Sequence, residues 1–178
     1  GSWSRRGCRR PPVHPPSPSR PSFKIIPDSE AVFSPGSVDF DVGQFIAAQN
    51  GYLADYAEWV EDQKPTGSQI VQRVAQEYSV NPRLLLAVLE YQSGWVTQTD
   101  PDTSTLQYPV GFEKAGWKGL YYQLSWAADH LNHGYYLWRF NEENTWRLAD
   151  ETIIPISPVI NAGTAAVQAL FARLDGQA

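Results

Sequence analysis

The sequence predicts an all-α fold: a helical domain with an N-terminal extension and a small polar loop lobe. Three observations lead there. From Asn81-Pro82 to Gln92 the chain is apolar on nearly every side, as in a helix buried at the centre of a domain. From Leu120 to Phe140 the residues Leu124, Ala127, Ala128, Leu131, Tyr135 and Trp138 recur at mixed three- and four-residue steps. A last apolar run, Thr164–Leu174, follows Asn161. With 178 residues, 42% of them hydrophobic, the chain can build one domain of ordinary size plus an appendage.

The appendage is residues 1–22, which hold six of the fourteen prolines together with serines and arginines. Such a stretch has little apolar area to bury and reads as a disordered linker or tail. It carries Arg5, Arg6, Arg9, Arg10 and Arg20 and no acid, so the formal charge of -5 for the whole chain leaves nine bases against nineteen acids in the rest. An acidic body argues against nucleic acid as the partner. The single Cys8 cannot form an intramolecular bridge, and Arg5-Arg6-Gly7 before it is too basic for a lipid-attachment signal. No apolar run approaches the roughly 20 residues of a membrane helix.

Residues 23–67 are read as an extension packed on the core. Phe23 to Pro35, bracketed by prolines, suits an extended segment. Asp39 to Gln63 has helical spacing with an interruption at Asn50-Gly51. Lys64-Pro65-Thr66-Gly67 breaks the chain, and residues 68–178 form the main helical domain. There Ser68 caps a helix with the stripe Ile70, Val71, Val74 and Tyr78, and Asn81 caps the next, with Pro82 at its first position where no amide proton is missed. Thr97 to Lys118 is polar and rich in turn formers, which makes it the loop lobe.

The chemistry-bearing residues sit around these helices. Asn81-Pro82-Arg83-Leu84-Leu85-Leu86-Ala87-Val88-Leu89-Glu90-Tyr91-Gln92-Ser93-Gly94 resembles the first signature of the lysozyme-like superfamily of lytic transglycosylases and goose-type lysozymes, where such a helix closes with Glu-Ser-Gly. Gly119-Leu120-Tyr121-Tyr122-Gln123 stands where that family has Gly-Leu-Met-Gln, and Ile160-Asn161-Ala162-Gly163 where it has Tyr-Asn-Ala-Gly. The three matches come in the family order over about 68–174.

The resemblance implies a lysozyme-like fold, a peptidoglycan-type glycan as ligand, and an exported bacterial, extracytoplasmic protein. It places the catalytic acid at position 92, which is Gln92 here. An amide can donate a hydrogen bond to the glycosidic oxygen but has no proton to transfer at neutral pH, and loss of a general acid costs on the order of 10²–10⁴ in rate. Glu90 is two residues away, about 200° around the helix, and Glu113 lies in the loop lobe; either is a substitute acid or a structural residue. Tyr91, Ser93, Trp95, Tyr121, Tyr122, Gln123, Trp126 and Asn161 are candidate ligand contacts, the aromatics as platforms for sugar rings or as core. His130 and His133 are three apart, too little for a metal site without a third ligand. No cofactor or metal is expected.

Three functions follow as expectations. The first is a glycan-binding module of a cell-wall protein with weak or no hydrolysis. The second is an active glycosidase using Glu90 or Glu113. The third is a helical interaction scaffold with a closed cleft, accessory to a neighbouring cell-wall hydrolase such as a peptidase. Exposure of the aromatics beside Gln92 discriminates the first from the third.

Overall fold

A computed structural model describes residues 23–174; the expectations for the tail, 1–22, lie outside that range. The extension opens with two single-turn helices, α1 (Asp28–Ala31) and α2 (Pro35–Val38), then α3 (Val42–Gln49) and α4 (Tyr52–Asp55). It is tied down by a parallel bridge from Phe23 to Ile160 and an antiparallel one from Val32 to Val80. Asn50 takes a left-handed conformation (φ 54°) that ends α3, where the Asn50-Gly51 pair is read as a break.

The longer helices follow: α5 (Gly67–Glu77), α6 (Pro82–Ser93), α7 (Leu120–Arg139) and α8 (Ala162–Leu174). Helix α5 starts one residue before the predicted cap, because the cap is Thr66 rather than Ser68: its hydroxyl accepts the Gln69 amide, and Gln69 Oε1 accepts the Thr66 amide. Helix α6 has the predicted Asn81 cap, Pro82 at the first position, and left-handed Gly94 (φ 68°) at its end.

The all-α expectation is corrected by an antiparallel hairpin, β1 (Thr145–Arg147) and β2 (Ile153–Pro155), with Trp146 opposite Ile154. The fold is mixed α/β, dominated by helix. Strand alternation explains the hairpin: Trp146 is buried against Ala165 and Ala169 of α8, while Thr145 and Arg147 turn away, and Glu151 (φ 68°) makes the turn.

One core runs through the extension and the helices beyond it. Ile46, Leu53, Ile70, Leu85, Leu89, Leu124, Leu131 and Leu170, from α3 to α8, are buried together, each contributing about 1.5–3 kcal/mol by leaving water. Helices α7 and α8 pack tightly at Gly134, where a Cβ would fall 2.3 Å from Ala169 Cβ and 2.7 Å from the Ala165 carbonyl. Among the described residues no helix is long and apolar enough to cross a membrane.

Candidate functional site

The end of α6 carries the residues read first as chemistry. Glu90 is half-buried, and its carboxylate is filled: Oε2 accepts the amides of Val96 and Thr97 at 3.0 and 3.1 Å, and Oε1 the Thr97 hydroxyl at 2.6 Å. It holds the turn after the helix. The Ser93 hydroxyl donates back to Leu89 O within α6 at 2.9 Å. Trp95 is fully buried, with Tyr52 and Tyr56 against its ring at 4.7 and 4.9 Å and its indole N–H donating to Thr105. Glu113 is exposed on the loop lobe, and Asp102 caps a short turn, Thr103–Thr105, where the Ser104 amide lowers its pKa.

Gln92 is half-buried and its amide oxygen faces Gly111, 3.5 Å from where a Cβ would stand. The Gly111 segment is in turn built by Gln123. That side chain, fully buried in α7, accepts the amides of Val110 (3.3 Å) and Phe112 (3.2 Å) and donates to the carbonyls of Phe112 (2.9 Å) and Trp117 (2.7 Å). All four hydrogen-bonding positions of one amide are therefore used to fix one loop. Phe112 lies flat on Trp126, centroids 4.2 Å apart and 9° between planes, and Trp126 is buried.

The structure thus brings Gln92, Gln123 and Trp126 around the 110–117 loop, which itself carries Glu113, and leaves the remaining candidates elsewhere. Tyr121 is half-buried, donating to Glu77 at 2.9 Å with Arg73 4.7 Å over its ring. Burial, then that hydrogen bond, raises its pKa. Tyr122 is exposed beside it. Tyr91 is 76% exposed and meets Phe171 edge-on at 5.3 Å. Asn161 donates to the Ile26 carbonyl at 2.7 Å and to Asp28, fastening the extension to α8.

Sequence reasoning missed two carboxylates that organise this framework. Asp28 accepts the Gly163 amide at the start of α8 (2.8 Å), a capping role reached across 135 positions. Glu58 does the same for α7: its oxygens accept the amides of Leu120 (3.1 Å) and Tyr121 (2.7 Å) and the Tyr56 hydroxyl (2.6 Å). The helix supplies no cap of its own, because Gly119 (φ 94°) precedes it. A Cβ on Gly119 would come within 2.5 Å of Glu58, and that glycine is the only local signal that a group from elsewhere docks there.

Of the histidines, His130 borders the same loop beside Phe112 and Trp117, and both His130 and His133 line a cleft against β1. His130 packs on Trp126 at 4.2 Å and its Nδ1 donates to the Trp126 carbonyl at 2.9 Å; burial lowers its pKa. Among the described residues no group of His, Cys, Asp and Glu is set to hold a metal. Gln92 lines none of the depressions around His133, Phe45, Asp41, Asp55 and Trp117.

No curated protein and no solved structure matches the chain. A family model does, the one described as LasA, N-terminal domain, over residues 24–178. That span takes in every helix and strand from α1 onward, so the chain belongs to the LasA N-terminal domain family.

Proposed function

We propose that this domain is a non-catalytic interaction module, accessory to a neighbouring domain of an exported bacterial cell-wall protein such as a peptidase. One observation carries the reading: Glu90, Trp95 and Gln123, which a lysozyme-like site would turn to its ligand, are engaged by the protein's own groups. The Glu90 carboxylate has three internal donors, Trp95 is sealed, and Gln123 has all four of its hydrogen bonds satisfied. A general acid must reach the proton acceptor of its substrate, and a sugar platform must present a bare ring face. The family's description as an N-terminal domain supports a role beside further protein. Calorimetric titration of the domain with the separately produced remainder of its parent protein tests the reading. Saturable one-to-one binding is expected, and no heat and no co-elution at tens of micromolar would defeat it.

A second reading, glycan binding without cleavage, is favoured by Tyr91, which stands exposed next to Gln92 at the end of α6. Its test is a pull-down on insoluble peptidoglycan with assay of released muropeptides, comparing the chain with Gln92→Glu. Binding by both and release by the variant alone would support it; retention by neither would remove it.

A further inference from the structure

Between α7, α8 and β1 lies a cleft of about 380 Å³. His130 and His133 line one wall, Arg173 another, and Thr145, Trp146 and Arg147 a third. Successive strand side chains point to opposite faces of a hairpin, so three consecutive residues border one cleft only along the strand's edge. No residue of β2 lines it. It therefore runs along the outer edge of β1.

The ladder leads to the same geometry. Leu148 donates to Thr152, Ile156 donates to Asn144, and Trp146 pairs with Ile154. Positions 144, 146 and 148 thus face β2, and the backbone N–H and C=O of Thr145 and Arg147 point outward, two residues apart. Among the described residues these outward groups have no hydrogen-bond partner. The opposite edge is different, because its outward residues are Ile153 and Pro155, and proline has no amide to offer. Charge distinguishes the cleft as well. Arg147 is held by Glu151 at 2.9 Å, and the lining acid Glu143 accepts from the Thr145 hydroxyl at 3.3 Å. Arg173 is half-buried and, among the described residues, is in no ion pair, on a body in which acids outnumber bases.

We propose that the outer edge of β1 accepts an extended acidic segment of the partner domain as a third strand, with a carboxylate seated on Arg173. This rests on the interaction-module reading and gives it a surface and a partner chemistry. Added strands bind through main-chain hydrogen bonds and take specificity from alternate side chains; here Thr145 and Arg147 supply the first and Arg173 the second.

The test uses a capped hexapeptide alternating Glu and Val, and its Lys-Val counterpart, titrated into isotope-labelled domain. With the Glu peptide, the Thr145 and Arg147 amides should shift and gain protection from hydrogen exchange, and the Lys peptide should bind far less. Arg173→Ala should weaken the Glu peptide about three- to fivefold, the scale of one exposed ion pair. Thr145→Pro removes an outward amide and leaves the β1–β2 ladder intact, so it should abolish the protection at Arg147. Unchanged Trp146 resonances check that the hairpin survives. No change at β1 with millimolar peptide, equal binding of the Lys peptide, or pairing of β1 edges between two copies of the domain would overturn the proposal. If the remainder of the parent protein binds equally to both variants, the edge is excluded while the interaction module stands. Peptide binding at β1 without binding of the remainder retains the edge and removes the module reading.

Discussion

Glu58 and Tyr121, far apart in the chain, meet where the Glu58 carboxylate accepts the Tyr121 amide at 2.7 Å and the Leu120 amide at 3.1 Å. The contact caps the 20-residue helix α7 from a loop of the extension, and also holds the Tyr56 hydroxyl. Burial, and then this hydrogen bond, push the Tyr56 hydroxyl far above the usual phenol range, which keeps it a donor at neutral pH. Glu58→Ala should cost about 1–3 kcal/mol by urea denaturation, the loss of a charged cap that leaves amides unsatisfied. Glu58→Gln, which keeps one acceptor oxygen, should fall between. Equal stability of all three chains would mean that the cap does not contribute.

Gln123 is the second test of buried polarity. Gln123→Leu has nearly the same volume but leaves the Val110 and Phe112 amides and the Trp117 carbonyl unpaired, the Phe112 carbonyl keeping the Lys114 amide, at a cost of about 2–5 kcal/mol. The damage should be local, with hydrogen exchange of Val110 and Phe112 accelerating before that of α5 or α6. Uniform loosening of all the helices would instead indicate that Gln123 serves general packing.

Gly134 sets the spacing of α7 on α8. Gly134→Ala should lower stability by about 1–3 kcal/mol despite alanine's better helix propensity, because the new methyl meets backbone and a neighbouring Cβ rather than a flexible side chain. Gly36→Ala, where the nearest atom beyond its chain neighbours is the Ser34 hydroxyl at 3.8 Å, should be close to neutral. Equal thermal shifts for the two variants would refute the close-packing account.

His130 gives stability a pH dependence of defined sign. Its folded pKa lies below the ordinary 6.5, chiefly because burial disfavours the imidazolium. The unfolded chain then binds the proton first, so its contribution is complete above pH 6.5 and declines as the pH falls below it. Denaturant midpoints between pH 7.5 and 5 should drop more for the parent chain than for His130→Gln. Parallel curves would show that His130 does not govern that range.

The strongest local signals were legible in the chain. Asn81-Pro82 fixed the start of α6 and Asn50-Gly51 the end of α3, since caps and left-handed turns are decided by neighbours in sequence. The hairpin was not, because strands of three residues offer one alternation each, too short to show a period. Trp146 becomes a strand residue only by having α8 to pack on. In the candidate site, the Ser-Gly end of α6 was readable, but not that Glu90 folds back on Val96 and Thr97, nor that Trp95 turns inward between Tyr52 and Tyr56. Asp28 and Glu58 look like ordinary surface acids until distant helix starts arrive to use them.

The clasp of Asp28 and Asn161 also sets an order of events. The Phe23–Asp28 segment bonds to Ile160, Asn161, Gly163 and Thr164, so these contacts close one of the longest loops among the described residues. Helices α5 and α6, neighbours in sequence, can pair early, whereas residues 23–28 wait until α8 has been made. Joining residues 23–28 to α8 is thus a late step, and removing them should slow that step more than the pairing of α5 with α6.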